Sequence, residues 1–281
     1  FSIEINNDQM IIDDKAIIKV FKSDSPDSIP WDEANVDVVI EATGQFKNKK
    51  SAELHTKNNS KIKKVIITAP ASDEDITIIM GVNHHEYIAD QHHVISAGSC
   101  TTNCIVPMIK VLHDNFEVSN GMMTTIHSYT RDQNLVDAKH KDLRRARAAA
   151  NNIIPTSTGA ANAIAKIIPE LENKINGMSF RVPTSTVSVV DLVTTLKKQP
   201  SIDDINNAFY QVAQNEMNNY LFFESEELVS SDFKKHSASC IFDSSSTLIV
   251  DRNITKTIGW YDNEWGYACR IIDLCSLISR K

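Results

Sequence analysis

The stretch HVISAGSCTTNC, residues 93–104, marks the point where an extended apolar segment gives way to a helical one. Residues 93–98 have the pattern of a strand and its turn. Apolar residues then recur at helical spacing: Ile105, Met108, Ile109 and Leu112. Cys100 therefore falls in the first turn of a helix, where unpaired backbone N–H groups and the positive end of the helix dipole favour a thiolate. The first hypothesis is a chemically active cysteine.

The alternative for Cys100 is a structural role, because cysteine is among the residues most often buried. Hydroxyl and amide side chains flank it in the sequence: Ser99, Thr101, Thr102 and Asn103. Together with the N–H groups of the helix start, these donors predict a binding site for an anion. A thiol beside an anion site indicates acyl transfer that involves a phosphate.

Composition excludes several classes of protein. The chain has 281 residues, 42% of them hydrophobic, which is enough for two domains with cores of their own. A formal net charge of −7 argues against nucleic acid as the main partner, because binding to phosphate backbones needs an electropositive face. No apolar run reaches the roughly 18 residues of a membrane span. The 5 cysteines lack metal-ligand spacing such as CxxC, which predicts free thiols, no metal site and a cytoplasmic location.

In the first hundred residues, short apolar segments alternate with a helical one. The predicted strands lie near 1–5, 9–12, 16–21, 36–40, 64–68 and 76–82, and the predicted helix at 47–56. The strand at 36–40 is followed by a Thr43-Gly44 turn. This alternation predicts a parallel, doubly wound sheet, whose ligands bind beyond the carboxyl ends of its strands.

The second half contains more strand than helix, which suits an antiparallel sheet. Its predicted strands are 122–129, 178–183, 187–196, 239–242, 248–250 and 255–260, and its predicted helices are 160–168, 202–215 and 265–279. The expected fold class is α/β plus α+β. A domain boundary near Cys100 would place the thiol at a junction between domains, where small-molecule sites often lie.

A nucleophilic thiol needs a base, and His127 in TTIHSYT lies near the end of an otherwise apolar strand. A hydrogen-bonded core histidine is the alternative. Arg181 in FRVPT interrupts an apolar segment and must pair with an anion or reach solvent. Together with Thr130 it would hold a substrate phosphate by charge-assisted hydrogen bonds, whereas an internal salt bridge would satisfy it equally well.

A second hydroxyl-rich helix start, IIPTSTGAA at 153–161, contains Thr158 and Gly159. It predicts either a second anion site or simple capping of a helix. A basic run just before it comprises Arg144, Arg145 and Arg147. It is typical of a loop that faces solvent or another subunit.

Six ordered motifs cover essentially the whole chain: SCTTNC, TTIHSYT, IIPTSTGAA, FRVPT, VSVVDL and WYDNEWGY. In this order they resemble phosphorylating glyceraldehyde-3-phosphate dehydrogenase. The resemblance implies an incomplete Rossmann-type nucleotide-binding domain at 1–99, an antiparallel-sheet catalytic domain at 100–264, and a C-terminal helix at 265–281 that returns to the nucleotide-binding domain. It further implies NAD or NADP as cofactor, glyceraldehyde 3-phosphate and inorganic phosphate as substrates, and a homotetramer in glycolysis or gluconeogenesis.

The resemblance also implies a role for each site residue. Cys100 would attack the aldehyde with His127 as base, hydride would pass to the nicotinamide, and phosphate would resolve the thioester. Thr130 and Arg181 would hold the substrate phosphate. The attacking phosphate would contact Ser99, Thr101, Thr158 and Gly159. The cofactor cleft would be lined by Thr43, Gly44, Phe46, Thr68, Asn263 and Tyr267, with Asn263 near the carboxamide.

The sequence departs from the family in several places. Ala97, Arg131 and Ala138-Lys139 differ from residues common in NAD-using members, which leaves the preference between NAD and NADP open. The largest departure is that the 8 glycines include no GxGxxG turn. We therefore expect a missing N-terminal segment, and instability or loss of cofactor binding in the chain as given. Two other functions stay open. Erythrose-4-phosphate dehydrogenase shares the cysteine and the histidine, although Thr158-Gly159 favours the phosphorylating enzyme. The second is a non-catalytic, binding role.

Overall fold

The computed structural model describes residues 2–6, 8–58 and 61–280. Their contacts divide the chain into two compact units. The first comprises Phe1–Ile76 and Ile88–Ser96, and the second comprises Thr77–Tyr87 and Ala97–Lys281. The three-part domain division predicted from the sequence stays a proposal. By its contacts, the C-terminal helix belongs to the second unit.

The first unit is built mainly of short strands. They are β1 (Ile3–Asn6), β2 (Gln9–Ile12), β3 (Ala16–Lys19), β4 (Val38–Glu41), β5 (Lys64–Ile67) and β7 (Val94–Ser96), with β6 (Ile76–Thr77) at the boundary of the two units. The helices are α1 (Trp31–Ala34) and α2 (Lys49–Ala52), and short 3-10 turns occupy Pro26–Ser28 and Glu53–His55. These elements agree with the predicted strands and helix up to residue 68, except that residue 1 lies outside the described residues.

Two separate sheets organise these strands. β1, β2 and β3 form an antiparallel meander, whereas the second sheet has the order β4-β5-β7-β6. β5 pairs in parallel with both β4 and β7, so the carboxyl ends of these three strands lie at one edge. Val65, Ile67 and Val94 are almost fully buried in the core of this unit. The parallel sheet predicted from the alternating pattern is confirmed.

The strand predicted at 76–82 is mostly absent, because only Ile76–Thr77 pairs in the sheet. The side chain of Asn83 accounts for the difference. Its Oδ1 accepts from the Ile79 N–H at 2.8 Å, and its Nδ2 donates to the Thr77 carbonyl at 2.9 Å. An asparagine that bonds the backbone in this way competes with a sheet ladder, which apolar periodicity alone does not reveal.

The second unit is a seven-stranded sheet with four helices. Its strands are β8 (Val118–Ser128), β9 (Ile154–Thr156), β10 (Ile175–Val182), β11 (Ser188–Leu196), β12 (Leu221–Glu224), β13 (Cys240–Val250) and β14 (Ile254–Tyr261). Its helices are α3 (Cys100–Phe116), α4 (Ala160–Ile167), α5 (Ile202–Gln214) and α6 (Trp265–Ser279). Further 3-10 turns occupy His84–Glu86, Pro169–Leu171 and Ser230–Phe233.

The sheet of the second unit has the order β12-β13-β14-β11-β8-β10-β9. The pairs β8–β10 and β12–β13 are parallel, and the other neighbours are antiparallel. The predicted fold class of α/β plus α+β is confirmed, although this sheet is mixed rather than wholly antiparallel. The reason is the long connection after β8, which contains β9 and α4 and brings β10 back in the same direction as β8.

Helix α3 is the centre of the core of the second unit. It packs on β11, β13 and β14, and Ile105, Met108, Ile109 and Leu112 are fully buried. Each such side chain contributes about 1.5–3 kcal/mol through removal of apolar surface from water. The helix that presents Cys100 is therefore held rigidly from its second turn onward.

Candidate active site

The start of α3 is fixed by its cap and by a glycine. The Ser99 hydroxyl accepts a hydrogen bond from the Thr102 N–H at 3.0 Å, which is a standard N-cap. Gly98 has φ +64°, and a Cβ there would lie 3.0 Å from Ile79 Cδ1 and 3.2 Å from Thr102. A larger residue would strain this turn, so Gly98 and Ser99 together place Cys100 as the first residue of the helix.

The predicted thiol and imidazole lie side by side. Cys100 Sγ is 3.4 Å from His127 Nε2. His127 is the second-last residue of β8 and only 4% exposed, because its side chain points toward the start of α3 from the buried face of the sheet. This distance allows a proton to move between the sulfur and the ring nitrogen.

The other ring nitrogen of His127 faces Arg181. The parallel register of β8 and β10 puts Arg181 directly opposite His127. Arg181 Nη1 lies 2.7 Å from His127 Nδ1 and 3.0 Å from the Ser128 carbonyl, while Nδ1 is 2.7 Å from that same carbonyl. A guanidinium can only donate, so with Arg181 in this position Nδ1 acts as the acceptor and Nε2 carries the proton of the neutral ring.

The surroundings keep this pair uncharged. Burial, reinforced by the charge of Arg181, lowers the pKa of His127 from 6.5 to about 4. Burial raises the pKa of the Cys100 thiol, while the hydrogen bond with Thr101 and the charge of Arg181 act in the opposite direction. The net shift of the thiol pKa is upward, which corrects the direction expected from the helix start alone. Near neutral pH the pair is therefore a thiol beside a neutral imidazole.

The low pKa of His127 predicts a pH-dependent stability. A pKa lowered from 6.5 to about 4 corresponds to roughly 3 kcal/mol. The unfolded chain takes up this proton near pH 6.5, so the contribution is present above that pH and is lost as the pH falls toward 4. Urea unfolding across this range should show a shallower pH dependence for His127→Asn than for the wild type. Parallel curves would contradict the assignment.

The predicted substrate-phosphate residues lie at the ends of neighbouring strands. Thr130 follows β8 in a turn closed by Gln133, whose N–H donates to the Thr130 carbonyl at 2.9 Å. Arg181 is on the adjacent β10, and its Nε is buried without a partner among the described residues. A buried donor of this kind is costly unless an anion or water meets it, which fits a site for a phosphate.

The four residues predicted for the attacking phosphate differ in what they offer. The hydroxyls of Ser99 and Thr101 already have partners, in Thr102 and in Tyr261 at 2.9 Å. Thr158 Oγ1 accepts from the Ala160 N–H at 3.3 Å, which leaves the proton of its hydroxyl to donate to an anion. Thr158 and Gly159 immediately precede α4, which packs on α3, and nothing lies within 4 Å of a Cβ built at Gly159. Open space before this helix fits an anion better than the Thr101 side chain does, because that hydroxyl is buried.

Sequence reasoning passed over Tyr261. This fully buried tyrosine bonds the hydroxyls of Thr101 and Thr125, and its ring centroid is 5.9 Å from that of His127. It braces the helix start against the strand that carries the base. Every second residue of β14 is buried, up to Tyr261. This alternation is the pattern from which the burial of Tyr261 could be predicted.

The basic run also contains one misjudged residue. Arg144 and Arg147 are exposed, as predicted. Arg145 is mostly buried instead, pairs with Asp132, and donates to Thr156 Oγ1 at 2.9 Å. Its charge also acts on Arg181. This loop therefore adds positive charge near the predicted substrate-phosphate site.

Four of the predicted cofactor residues lie in the first unit. Thr43, Gly44 and Phe46 follow β4, and Thr68 follows β5, at the carboxyl edge of the parallel sheet. Gly44 has φ +73°, and nothing lies within 4 Å of a Cβ built there. An open glycine turn at this edge suits the close approach of a nucleotide, so these residues fit the expected cofactor.

The other two lie in the second unit. Asn263 Oδ1 accepts from the hydroxyls of Ser128 at 2.8 Å and Ser188 at 3.0 Å, which leaves its amide nitrogen as the donor for a ligand. The Tyr267 hydroxyl donates to the Gly98 carbonyl at 2.8 Å. Only the ring of Tyr267 is therefore available to a cofactor, whereas Asn263 is tied to the residue next to His127.

Metal clusters and membrane-spanning helices are both absent from the described residues. No group of three or more His, Cys, Asp or Glu side chains in this part of the chain is arranged to hold a metal ion. No helix there is long and apolar enough to cross a membrane.

Comparison with known proteins gives consistent matches. Residues 99–263 match the family model of the glyceraldehyde 3-phosphate dehydrogenase C-terminal domain, and residues 1–49 match that of its NAD-binding domain. The chain is 49% identical to glyceraldehyde-3-phosphate dehydrogenase 1 of Bacillus cereus, over 99% of this chain and 83% of the relative. It is 50% identical to glyceraldehyde-3-phosphate dehydrogenase 2 of Streptomyces avermitilis, over 98% of this chain and 81% of the relative. It is 48% identical to the glyceraldehyde-3-phosphate dehydrogenase of Geobacillus stearothermophilus, over 99% of this chain and 82% of the relative.

These relatives favour the phosphorylating dehydrogenase over erythrose-4-phosphate dehydrogenase and over a non-catalytic binding protein. The thiol–imidazole pair, the arginine beside it and the glycine turn at the sheet edge are the features such an enzyme needs. The chain therefore belongs to the glyceraldehyde 3-phosphate dehydrogenase family, oxidoreductases that use NAD or NADP.

Proposed function

We propose that this protein oxidises glyceraldehyde 3-phosphate to 1,3-bisphosphoglycerate through a thioester on Cys100, with His127 as the acid and base. The observation that carries the proposal is the 3.4 Å contact between Cys100 Sγ and His127 Nε2, with the Arg181 guanidinium bonded to the other side of the same imidazole. Thr130 and Arg181 hold the phosphate of the aldehyde.

The reaction begins with the uncharged pair. As Cys100 Sγ bonds to the aldehyde carbon, the thiol proton moves to His127 Nε2 and then to the carbonyl oxygen, which gives a thiohemiacetal. The nicotinamide, when bound, supplies the acceptor for the hydride that this carbon loses. His127 takes the hydroxyl proton as the thioester forms. Inorganic phosphate then attacks the thioester carbon, and the Cys100 sulfur leaves and takes back the proton held by His127, which restores the uncharged pair.

The position of Arg181 implies an order of events. For Nε2 to accept the thiol proton, the ring must carry its own proton on Nδ1, 2.7 Å from the Ser128 carbonyl. Arg181 Nη1 opposes this tautomer because it also points a donor at Nδ1. A substrate phosphate that draws the guanidinium away would free Nδ1 to donate to Ser128. Substrate binding thereby prepares the base.

Six residues are proposed to hold the cofactor: Thr43, Gly44, Phe46 and Thr68, Asn263 through its amide nitrogen, and Tyr267 through its ring. The open space at Gly44 and the free donor of Asn263 support these roles.

Phosphate dependence tests the proposed reaction. With glyceraldehyde 3-phosphate and NAD or NADP, the protein should release one burst of reduced cofactor without inorganic phosphate and turn over continuously with it. Equal steady rates in the two conditions would contradict the phosphorylating reaction.

Thr158 provides a sharper test of the attacking-phosphate site. Thr158→Val should raise the KM for inorganic phosphate about tenfold, because one hydrogen bond to a charged group is lost, and should leave the KM for the aldehyde unchanged. Thr195→Val, a matched change at the far end of β11, should alter neither constant. A phosphate KM that stays at the wild-type value in Thr158→Val would remove this residue from the site.

A homotetramer in the cytoplasm is part of the same proposal. The seven-stranded sheet exposes apolar side chains of a kind that subunit contacts usually cover: Met122, Met178, Leu248, Val250 and Ile254. Light scattering in solution tests the assembly, and a mass corresponding to a single chain would contradict it.

A further inference from the structure

A buried carboxylate lies behind the proposed cofactor turn. Glu41 ends β4 and is only 3% exposed. Its Oε1 accepts from the Thr43 backbone N–H at 2.8 Å and also from the Thr43 hydroxyl. That hydroxyl in turn accepts from the Gln45 N–H at 3.2 Å. One carboxylate oxygen therefore fixes both the backbone and the side chain of Thr43.

The same residue also orders the end of the neighbouring strand. The Glu41 backbone carbonyl accepts from the Thr68 N–H at 3.0 Å and from the Thr68 hydroxyl at 3.2 Å. Thr43 and Thr68 follow adjacent parallel strands. Glu41 thus holds two of the residues that we assign to the cofactor site.

The second oxygen of this carboxylate bonds a histidine. His55 Nε2 lies 3.0 Å from Glu41 Oε2, and His55 is 5% exposed. Its ring centroid is 6.5 Å from that of Phe46, edge to face, and 5.6 Å from that of Trp31. Because His55 Nδ1 has no partner among the described residues, Glu41 is the hydrogen-bond partner that orients this ring.

Burial of a carboxylate and an imidazole costs free energy, because both groups lose their hydration, unless hydrogen bonds inside the protein compensate for that loss. Glu41 and His55 together contact Thr43, Thr68 and Phe46, three of the four cofactor residues assigned in this unit. We infer that Glu41 and His55 form a positioning pair, which holds the Thr43-Gly44 turn ready for the nicotinamide cofactor. The inference rests on the proposed cofactor role of these residues.

Direct binding of the cofactor to the substrate-free protein tests this inference. Isothermal calorimetry with NAD, or with NADP if the wild type prefers it, should show an about tenfold weaker Kd for Glu41→Gln, because the amide offers a weaker acceptor to Thr43 and one badly placed donor. His55→Leu should weaken binding several-fold. His55→Gln should restore it to within about twofold of the wild type, because its amide nitrogen can reach Glu41. Glu53→Gln, an exposed neighbour of His55, is the matched control and should bind normally.

Two further readouts separate positioning from general stability. At saturating cofactor, kcat and the KM for the aldehyde should match the wild type in every variant that folds. Amide hydrogen exchange in the cofactor-free protein should accelerate at residues 43–46 in Glu41→Gln and not in Glu53→Gln, because the carboxylate protects the Thr43 N–H.

Several results would overturn the inference. The first is a cofactor Kd for Glu41→Gln within about twofold of the wild type. The second is cofactor binding that His55→Leu and His55→Gln weaken to the same extent. The third is a lower kcat with an unchanged cofactor Kd in either Glu41→Gln or His55→Leu. If Glu41→Gln does not fold, the comparison of the two His55 variants decides in the same way. Because the sequence has no GxGxxG turn, the binding tests use the protein at the full length of its relatives, of which this chain covers 81–83%. If that protein binds neither NAD nor NADP, the proposed function fails, and this inference with it.

Discussion

Cys100→Ser is expected to lower the rate of phosphate-dependent aldehyde oxidation by roughly 10,000-fold or more. The hydroxyl of serine has a far higher pKa than a thiol, and an imidazole whose own pKa is lowered to about 4 is a weak general base for it. Binding of the cofactor should be unchanged, since Cys100 makes its hydrogen-bond contact with His127. Steady-state kinetics and cofactor titration of the same preparation measure both effects.

Cys275→Ser is the matched control for this result. Cys275 is a partly exposed free thiol on α6 and should be replaceable without loss of activity. Activity in Cys100→Ser close to that of the wild type, or a comparable loss in Cys275→Ser, would mean that the nucleophile is wrongly assigned.

His127→Asn is expected to reduce kcat by about 100- to 10,000-fold, the usual range for loss of a general base. The shape of the pH profile should change as well. In the wild type, kcat/KM should fall on the acid side near pH 4, because the pKa of His127 is lowered to about 4 and the ring must be neutral to take the thiol proton. In the variant this acid limb should disappear, and the residual activity should rise with pH as the thiol ionises.

Pre-steady-state kinetics across the pH range separate these outcomes. An acid limb that persists near pH 4 in His127→Asn would assign that ionisation to another group. A wild-type acid limb near the ordinary histidine value of 6.5 would contradict the neutral, buried imidazole. His55→Gln is a useful reference, because it removes another buried histidine that does not contact Cys100.

The sequence predicted the parts of the site that depend on local pattern. The change from β7 to α3 was visible as a change of apolar period, and it placed Cys100 at the helix start. His127 was recognisable as a polar residue near the end of an apolar strand. Family resemblance then linked these residues to a reaction, and the geometry brings the sulfur and the ring nitrogen within 3.4 Å.

The contact between Arg181 and His127 could not be predicted in the same way. It depends on the parallel register of β8 and β10, strands separated by a connection of more than forty residues. Apolar alternation shows which face a residue takes, but it does not show which strand lies beside it. The tertiary structure therefore decides which ring nitrogen of His127 carries the proton.

The role of a hydroxyl group near a helix start is ambiguous for a related reason. The sequence predicts Ser99 and Thr101 as phosphate ligands, and in the structure the Ser99 hydroxyl caps α3 while the Thr101 hydroxyl bonds Tyr261. Their contact with phosphate stays a prediction. A hydroxyl near a helix start can serve the protein or a ligand, and composition does not distinguish the two. Glu41 and His55 were passed over because the structural role of each depends on the other, and fourteen positions separate them in the chain.

Mass spectrometry of Cys100 during turnover detects the proposed thioester itself. The protein is mixed with glyceraldehyde 3-phosphate and its cofactor without inorganic phosphate, quenched in acid, digested and analysed for acylated peptides. We expect a 3-phosphoglyceroyl thioester on the peptide that contains Cys100, and its disappearance within one turnover after phosphate is added. Reduced cofactor formed with no acyl group on Cys100, or an acyl group that phosphate does not remove, would contradict the proposed reaction.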